Sequence, residues 1–431
     1  MAILYQARVA ILRRYEKAMT WTHQHERTVL LGAFTVALLI RVLYLTLFVG
    51  LNTPPQYDGI GYDLLASRLL EGKGYINDWA EPTAFRPPVY PMFLAGVYLL
   101  TNHSFGAVRA LQAVLDSFTV MFVFLIAREL ANKRVALLAA TGAAIYPLLI
   151  FETGEMYPET LSFFLQFATV WCLVLMLRMD HLVLPLAAGV MMGLTVLARP
   201  TAAPWVLLVL VWAIVPSVLH SPVQKLAAML LGLMVVFGPW TIRNYNAFKE
   251  FIPISSLGTI GLWSGNNPLA QGGGVMPTPQ TWNGDDYPER GWYGWEGISE
   301  MESGRRFAAK ALQWIRDNPF GFVRLIPLKL LYLWSPVSYS TQFGRQAPAV
   351  LVALALPPYL VFLVFAGVGI FIVRKAWKQI FPLLAVIISI NMLAIIYVGA
   401  TRYGIPMGVS LVIFAAISVD HLFYHSIQAA P

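Results

Sequence analysis

Long apolar runs, broken by short polar turns, fill most of the chain. Thr28–Gly50, Leu111–Leu130, Leu161–Leu177 and Val350–Val373 each approach the roughly 20 apolar residues that cross a bilayer. Backbone polar groups in lipid must be satisfied internally, so runs of this kind are helices. The pattern predicts an all-α, polytopic transmembrane helical bundle of about ten to twelve crossings. Further spans are expected at about 135–151, 182–198, 203–219, 224–242, 379–398 and 404–424.

The polar intervals divide the chain. Residues 1–27 read as a cytoplasmic segment, 28–243 as an N-terminal transmembrane catalytic module, 244–318 as an extracytoplasmic loop, and 319–431 as a C-terminal transmembrane segment. Within the first outer loop, 51–104, the stretch Ile60–Leu70 sets Leu64, Leu65 and Leu69 beside Asp63 and Arg68, which predicts a helix lying in the interface. The stretch 244–318 is rich in Gly, Pro, Trp and Asn, and loops this long are functional or linkers. Phe320–Pro336 is apolar but interrupted by Arg324, Pro327 and Lys329, and is expected to be half-inserted or interfacial.

Composition agrees with the pattern. The chain is 58% hydrophobic and 12% charged, against about 25% charged in a soluble domain. The net charge of +8 would suggest nucleic acid for a soluble protein, but the cations flank apolar runs and read as topology signals, so no nucleic-acid partner is expected. Arg8, Arg13, Arg14, Lys17 and Arg27 place the N-terminus inside. The lone Cys172 excludes a disulfide within the chain.

On this topology the ionisable residues at membrane depth gather on the outer side: Asp58, Arg86, Glu152, Glu155, Glu159, Arg199, Arg243, Lys329 and Arg402. Such groups are costly in a membrane and default to function. Each also has a plain structural reading: Asp58 as a helix N-cap, Glu159 as a partner of a helix dipole. The functional reading of Asp58 is a general base, with partial burial raising its pKa. Arg86 precedes two prolines that fix its backbone, and its guanidinium suits bidentate phosphate recognition. Arg243, Lys329 and Arg402, with Arg199, would complete a phosphate clamp. Glu152, Glu155 and Glu159 read as acid–base groups, hydroxyl acceptors or ligands for Mg²⁺ or Mn²⁺, though no spacing is diagnostic of metal. Arg41, deep in the first helix, is expected to pair with Asp116.

Taken in order, several motifs resemble a known group. These are Asp58 in the first outer loop, Leu70-Glu71-Gly72-Lys73-Gly74-Tyr75, Phe85-Arg86-Pro87-Pro88-Val89-Tyr90-Pro91, Tyr146-Pro147 followed by Glu159, and Leu197-Ala198-Arg199-Pro200. Pro239-Trp240-Thr241-Ile242-Arg243-Asn244-Tyr245, Gly265-Asn266-Asn267-Pro268 and Arg402-Tyr403 complete the set. From about residue 28 to 424 the chain resembles the polyprenyl-phosphate-dependent glycosyltransferases of the GT-C fold, in the bacterial family 39 branch of protein mannosyltransferase-like and aminoarabinose transferase-like enzymes. The resemblance implies a sugar donor carried on a polyprenyl phosphate, used at the outer face of the cytoplasmic membrane, with a glycan, lipid or protein acceptor. It implies Asp58 as the base, Arg86 on the donor phosphate and Glu159 as the acidic residue after the third helix, with Glu155 in its place if the register differs by a turn. Tyr62, Tyr90, Asn266 and Tyr403 are the expected substrate contacts. Related lipid A enzymes carry an acidic residue where this chain has Phe85, which speaks against a metal site there. Two rival readings remain: a transporter or flippase of a lipid-linked sugar, and a polysaccharide polymerase or ligase with a diphosphate-linked donor.

Overall fold

The computed structural model describes residues 26–215, 218–275, 288–337 and 349–428. The basic N-terminal residues through Lys17 lie outside them. Among the described residues there is no strand, only an isolated bridge between Ile76 and Pro82. The helices are α1 Glu26–Tyr44, α2 Asp58–Leu70, α3 Val89–Thr101, α4 Phe105–Leu130, α5 Lys133–Ala144, α6 Pro147–Glu152, α7 Glu159–Met176 and α8 Val183–Ala198. They continue with α9 Ala203–Ile214, α10 Pro222–Phe248, α11 Leu257–Gly265, α12 Glu300–Asp317, α13 Pro319–Leu333, α14 Ala349–Val373, α15 Trp377–Ile396 and α16 Ile405–Gln428.

Six described stretches are long and apolar enough to cross a membrane: Glu26–Val49, Phe105–Leu130, Glu159–Met176, Pro222–Phe248, Leu354–Ile396 and Thr401–Phe423. The fifth is a pair of helices around the turn Arg374–Ala376. Val89–Thr101, Val183–Ala198 and Pro200–Ile214 are shorter apolar helices. The protein is a multi-pass membrane protein. Large apolar side chains such as Leu39, Phe48, Leu207, Val235, Val364 and Phe371 are exposed on its flanks, where a soluble surface would be charged. The bundle closes on itself: α1 packs on α4, α4 on α5 and α7, α7 on α8, α8 on α10, and α16 on α5, α14 and α15. Two fully buried tryptophans tie α9 to α15, Trp205 donating to the Pro382 carbonyl and Trp212 to that of Lys378, which satisfies the indole N–H groups in an apolar interior.

Three features depart from or refine the sequence pattern. The first outer loop, 51–104, holds a second helix, α3, in addition to the one expected at Ile60–Leu70. The expected helix at about 135–151 is broken at Ile145-Tyr146, because Pro147 has no N–H to continue the ladder. Arg41 caps the break, donating to the Ala143 and Ala144 carbonyls while pairing with Asp116 at 2.6 Å, both side chains fully buried. Helix α13, with Lys329, has 15 residues, short of the roughly 20 a full crossing needs.

Candidate active site

Helix α2 presents Asp58, Gly61 and Tyr62 on one face, since residues three and four apart are neighbours on a helix. Arg86 approaches this face from the segment 75–88, which is held at several points. The Tyr75 hydroxyl donates to the Arg86 and Pro87 carbonyls at 2.9 and 3.1 Å. The half-buried Glu300 carboxylate on α12 accepts from Thr83 Oγ1, the Ala84 amide and Ser256 Oγ. Burial pushes the Glu300 pKa up, against the pull of those donors. The Arg86 guanidinium therefore starts from a fixed backbone.

It ends beside Asp58. Arg86 Nη2 lies 3.3 Å from Asp58 Oδ1, and Arg402 Nη1 and Nη2 lie 3.3 Å from Asp58 Oδ2. Residues distant in the chain meet at one carboxylate. Desolvation pushes the Asp58 carboxyl upward, but the two guanidiniums outweigh it and hold its pKa at about 2. This reverses the expectation that burial would raise it. The side chain keeps 40% of its surface because it faces a cavity of about 210 Å³.

That cavity is also lined by Tyr62, Phe85, Tyr157, Glu159, Arg199, Tyr293 and Tyr403, with an apolar wall of Leu257, Ile260 and Val398. Arg199 Nη2 is 3.0 Å from Glu159 Oε1, but the angle is too poor for a hydrogen bond: Arg199 Nη2 and Glu159 Oε2 are buried without partners, as is Arg86 Nε. The Arg86 guanidinium lies 4.2 Å over the Tyr62 ring, and Tyr403 sits between Arg199 and Arg402 at 5.2 and 5.4 Å, contacts that favour a cation at these points. A larger cavity of about 650 Å³ lies among α5, α14 and α16. No ionisable acid or base lines it apart from tyrosine, so it offers no group for phosphate or proton chemistry.

Six expected site residues fall outside the cavity lining, among them Glu152, which is buried with Oε2 unpartnered. Arg243 donates instead to the Thr83 and Tyr75 carbonyls, bracing the segment that carries Arg86. Lys329 and Asn266 are fully buried and bond to each other, with Lys329 also donating to the Ile395 carbonyl and Asn266 to those of Leu262 and Ile396. The glycine before Asn266 serves packing: a Cβ on Gly265 would sit 1.8 Å from the Tyr397 carbonyl oxygen. Tyr90 is buried beneath Tyr62 and donates to Gln112. Glu155 is half-buried, and its carbonyl accepts from Gln112. Arg199, in contrast, belongs to the cavity, and its Arg-Pro step repeats that of Arg86-Pro87. Tyr157 and Tyr293 carry no comparable signal.

The donor set does not form a cation site. Both oxygens of Asp58 face guanidiniums, and among the described residues no group of three His, Cys, Asp or Glu is placed to hold a metal.

Residues 85–242 match the family model described as Dolichyl-phosphate-mannose-protein mannosyltransferase. The match starts at Phe85-Arg86 and includes Glu159 and Arg199, but not Asp58 or Arg402. No curated protein matches the chain at a significant level. Among solved structures, the chain is similar to the oligosaccharyltransferase AglB from Archaeoglobus fulgidus in complex with an inhibitory peptide and a dolichol-phosphate. The TM-score is 0.55 at 15% identity, over 95% of this chain and 53% of that one. The chain has the GT-C fold. The same archaeal enzyme with Zn and sulfate matches at TM-score 0.51 and 15% identity, over 91% of this chain and 49% of the other. ArnT from Cupriavidus metallidurans bound to undecaprenyl phosphate matches at TM-score 0.43 and 12% identity, over 93% and 80%. This GT-C chain spans about half the length of the archaeal oligosaccharyltransferase.

Proposed function

We propose that the protein is a membrane glycosyltransferase that moves a sugar from a polyprenyl-phosphate donor to an acceptor hydroxyl at the outer face of the cytoplasmic membrane. The observation that carries this reading is the pairing of one carboxylate, Asp58, with two guanidiniums, Arg86 and Arg402, in a cavity inside a GT-C bundle. The excess positive charge calls for an anion, and the carboxylate beside it calls for a proton.

The donor phosphate, a monoanion while esterified to the sugar, binds between Arg86 and Arg402. Asp58 takes the proton of the acceptor hydroxyl. The acceptor oxygen attacks the anomeric carbon, and the bond from that carbon to the phosphate oxygen breaks. A single displacement inverts the anomeric centre. Polyprenyl phosphate leaves with a second negative charge, which the two arginines stabilise more in the transition state than in the ground state. The phosphate also draws both guanidiniums away from Asp58. That lifts the carboxylate from its low resting pKa and makes it a stronger base when substrate is present. Glu159 and Arg199, beside the reacting centre, hold hydroxyls of the sugar or the acceptor, and Tyr62 and Tyr403 keep the arginines in place.

The expected partners are the lipid-linked donor, a glycan, lipid or protein acceptor, and the bilayer. The test is donor competence: transfer from a monophosphate-linked sugar is expected, and transfer only from a diphosphate-linked oligosaccharide would move the protein to the polymerase or ligase class.

A further inference from the structure

Helix α2 carries a glycine, Gly61, whose conformation does not require one. It is absent from the glycines with positive φ, and it is the fourth residue of a 13-residue helix. A glycine in a helix interior is about 1 kcal/mol less favourable than alanine. The explanation lies outside the helix backbone. A Cβ built on Gly61 would stand 2.9 Å from Arg86 Nε, 3.1 Å from Nη2 and 3.3 Å from Cζ, all three belonging to the guanidinium group.

Gly61 and its neighbours form a fitted seat. Asp58, Gly61 and Tyr62 share one helix face, supplying the opposing charge, an empty space and an aromatic ring at 4.2 Å. The Arg86 backbone does not yield easily, since Tyr75, Pro87 and Pro88 fix it. An added methyl group would therefore move the guanidinium, and it would move it away from α2, which also carries Asp58. The Arg86–Asp58 contact is already long at 3.3 Å, close to the limit for a charged hydrogen bond.

We propose that Gly61 is a positioning residue whose missing side chain sets the Arg86 guanidinium at the distance from Asp58 that a donor phosphate needs. The inference rests on the reading of Arg86 as a phosphate ligand, and its test separates the two. Binding of a polyprenyl phosphate to the full-length protein in detergent is measured for wild type, G61A, R86A, the double variant and G96A. Gly96 is a helical glycine on α3 whose Cβ would meet nothing within 4 Å, so G96A controls for helix propensity. G61A is expected to melt at or above the wild-type temperature yet bind about tenfold more weakly, as a small misplacement of a binding group allows. G96A should bind as wild type does. In the R86A background, G61A should weaken binding no further, because the two substitutions act on one group.

If R86A binds as well as wild type, the phosphate reading fails and the inference falls with it. If R86A is impaired while G61A binds normally, only the role of Gly61 is overturned. Should G61A prove unstable, the double variant decides: with the Arg86 side chain gone, the added methyl group has no guanidinium to meet and the instability should vanish. Instability that persists without Arg86 places the clash elsewhere and contradicts the proposal.

Discussion

Two buried charge clusters in this protein look alike in sequence and differ in access to a cavity. Arg41 and Asp116 meet at 2.6 Å with no exposed surface, and the remaining Arg41 donors end on the Ala37, Ala143 and Ala144 carbonyls. Asp58 is shared by Arg86 and Arg402 at 3.3 Å, keeps part of its surface, and has a guanidinium nitrogen without a partner close by. The first cluster is closed to solvent: it caps a broken helix, and although Asp116 Oδ1 has no partner, neither side chain keeps any exposed surface. The second is open, with more positive charge than negative and a cavity in front. Arg243 belongs with the first kind, since its guanidinium is engaged by backbone carbonyls. What separates the two is access: the proposed substrate site is the cluster whose carboxylate opens on a cavity, and burial or charge alone does not mark it.

Substitutions can break this contrast. The largest effect is expected at the closed pair: Arg41→Ala leaves Asp116 buried and uncompensated and should cost about 3–5 kcal/mol of stability, measured as lost folded protein in thermal unfolding. Replacing both partners with apolar residues should recover much of it. At the open cluster, Arg402→Ala should leave the melting temperature near wild type and lower kcat/KM for the donor by about 100-fold, the scale of losing one transition-state donor. Arg243→Ala should cost about 1–2 kcal/mol by unpairing two carbonyls, with a smaller loss of kcat/KM per folded molecule than Arg402→Ala.

The smallest expected effect is on pH dependence. In the free protein Asp58 is held at about 2, below its ordinary 3.8. Its folded-state pKa is lowered, so its contribution to stability is present above the ordinary value and is lost as pH falls through about 2. For activity, kcat/KM reports the free enzyme and kcat the substrate complex. The acid limb of kcat is expected at higher pH than that of kcat/KM, because bound phosphate engages the arginines. Coincident limbs would contradict that linkage.

Much of the fold was legible because the length of an apolar run maps directly onto bilayer thickness. The short helix α3 and the break before Pro147 were less so: α3 is an apolar run of only 13 residues within a loop, and the break lies inside an apolar stretch whose hydropathy does not change at the boundary. Asp58, Arg86 and Arg402 stood out as ionisable residues gathered on the expected outer side, and so did Arg243 and Lys329. Sequence gives the position of a charge along the chain but not the partners that saturate it, so the bracing arginine and the lysine–asparagine pair resembled ligands for phosphate. Arg199, whose Arg-Pro step was one of the motifs, lines the cavity; the place of Tyr293 there was not legible, because it reaches the cavity through a long loop without periodicity.

The central claim is that Asp58 is a base held beside a phosphate site. Its most direct test is single-turnover sugar transfer by Asp58→Asn, with polyprenyl-phosphate binding measured on the same sample. The expected result is a rate lower by about 10³-fold or more, with lipid-phosphate binding retained or tighter, because a carboxylate charge facing the phosphate is gone. Near-normal transfer by that variant would contradict it.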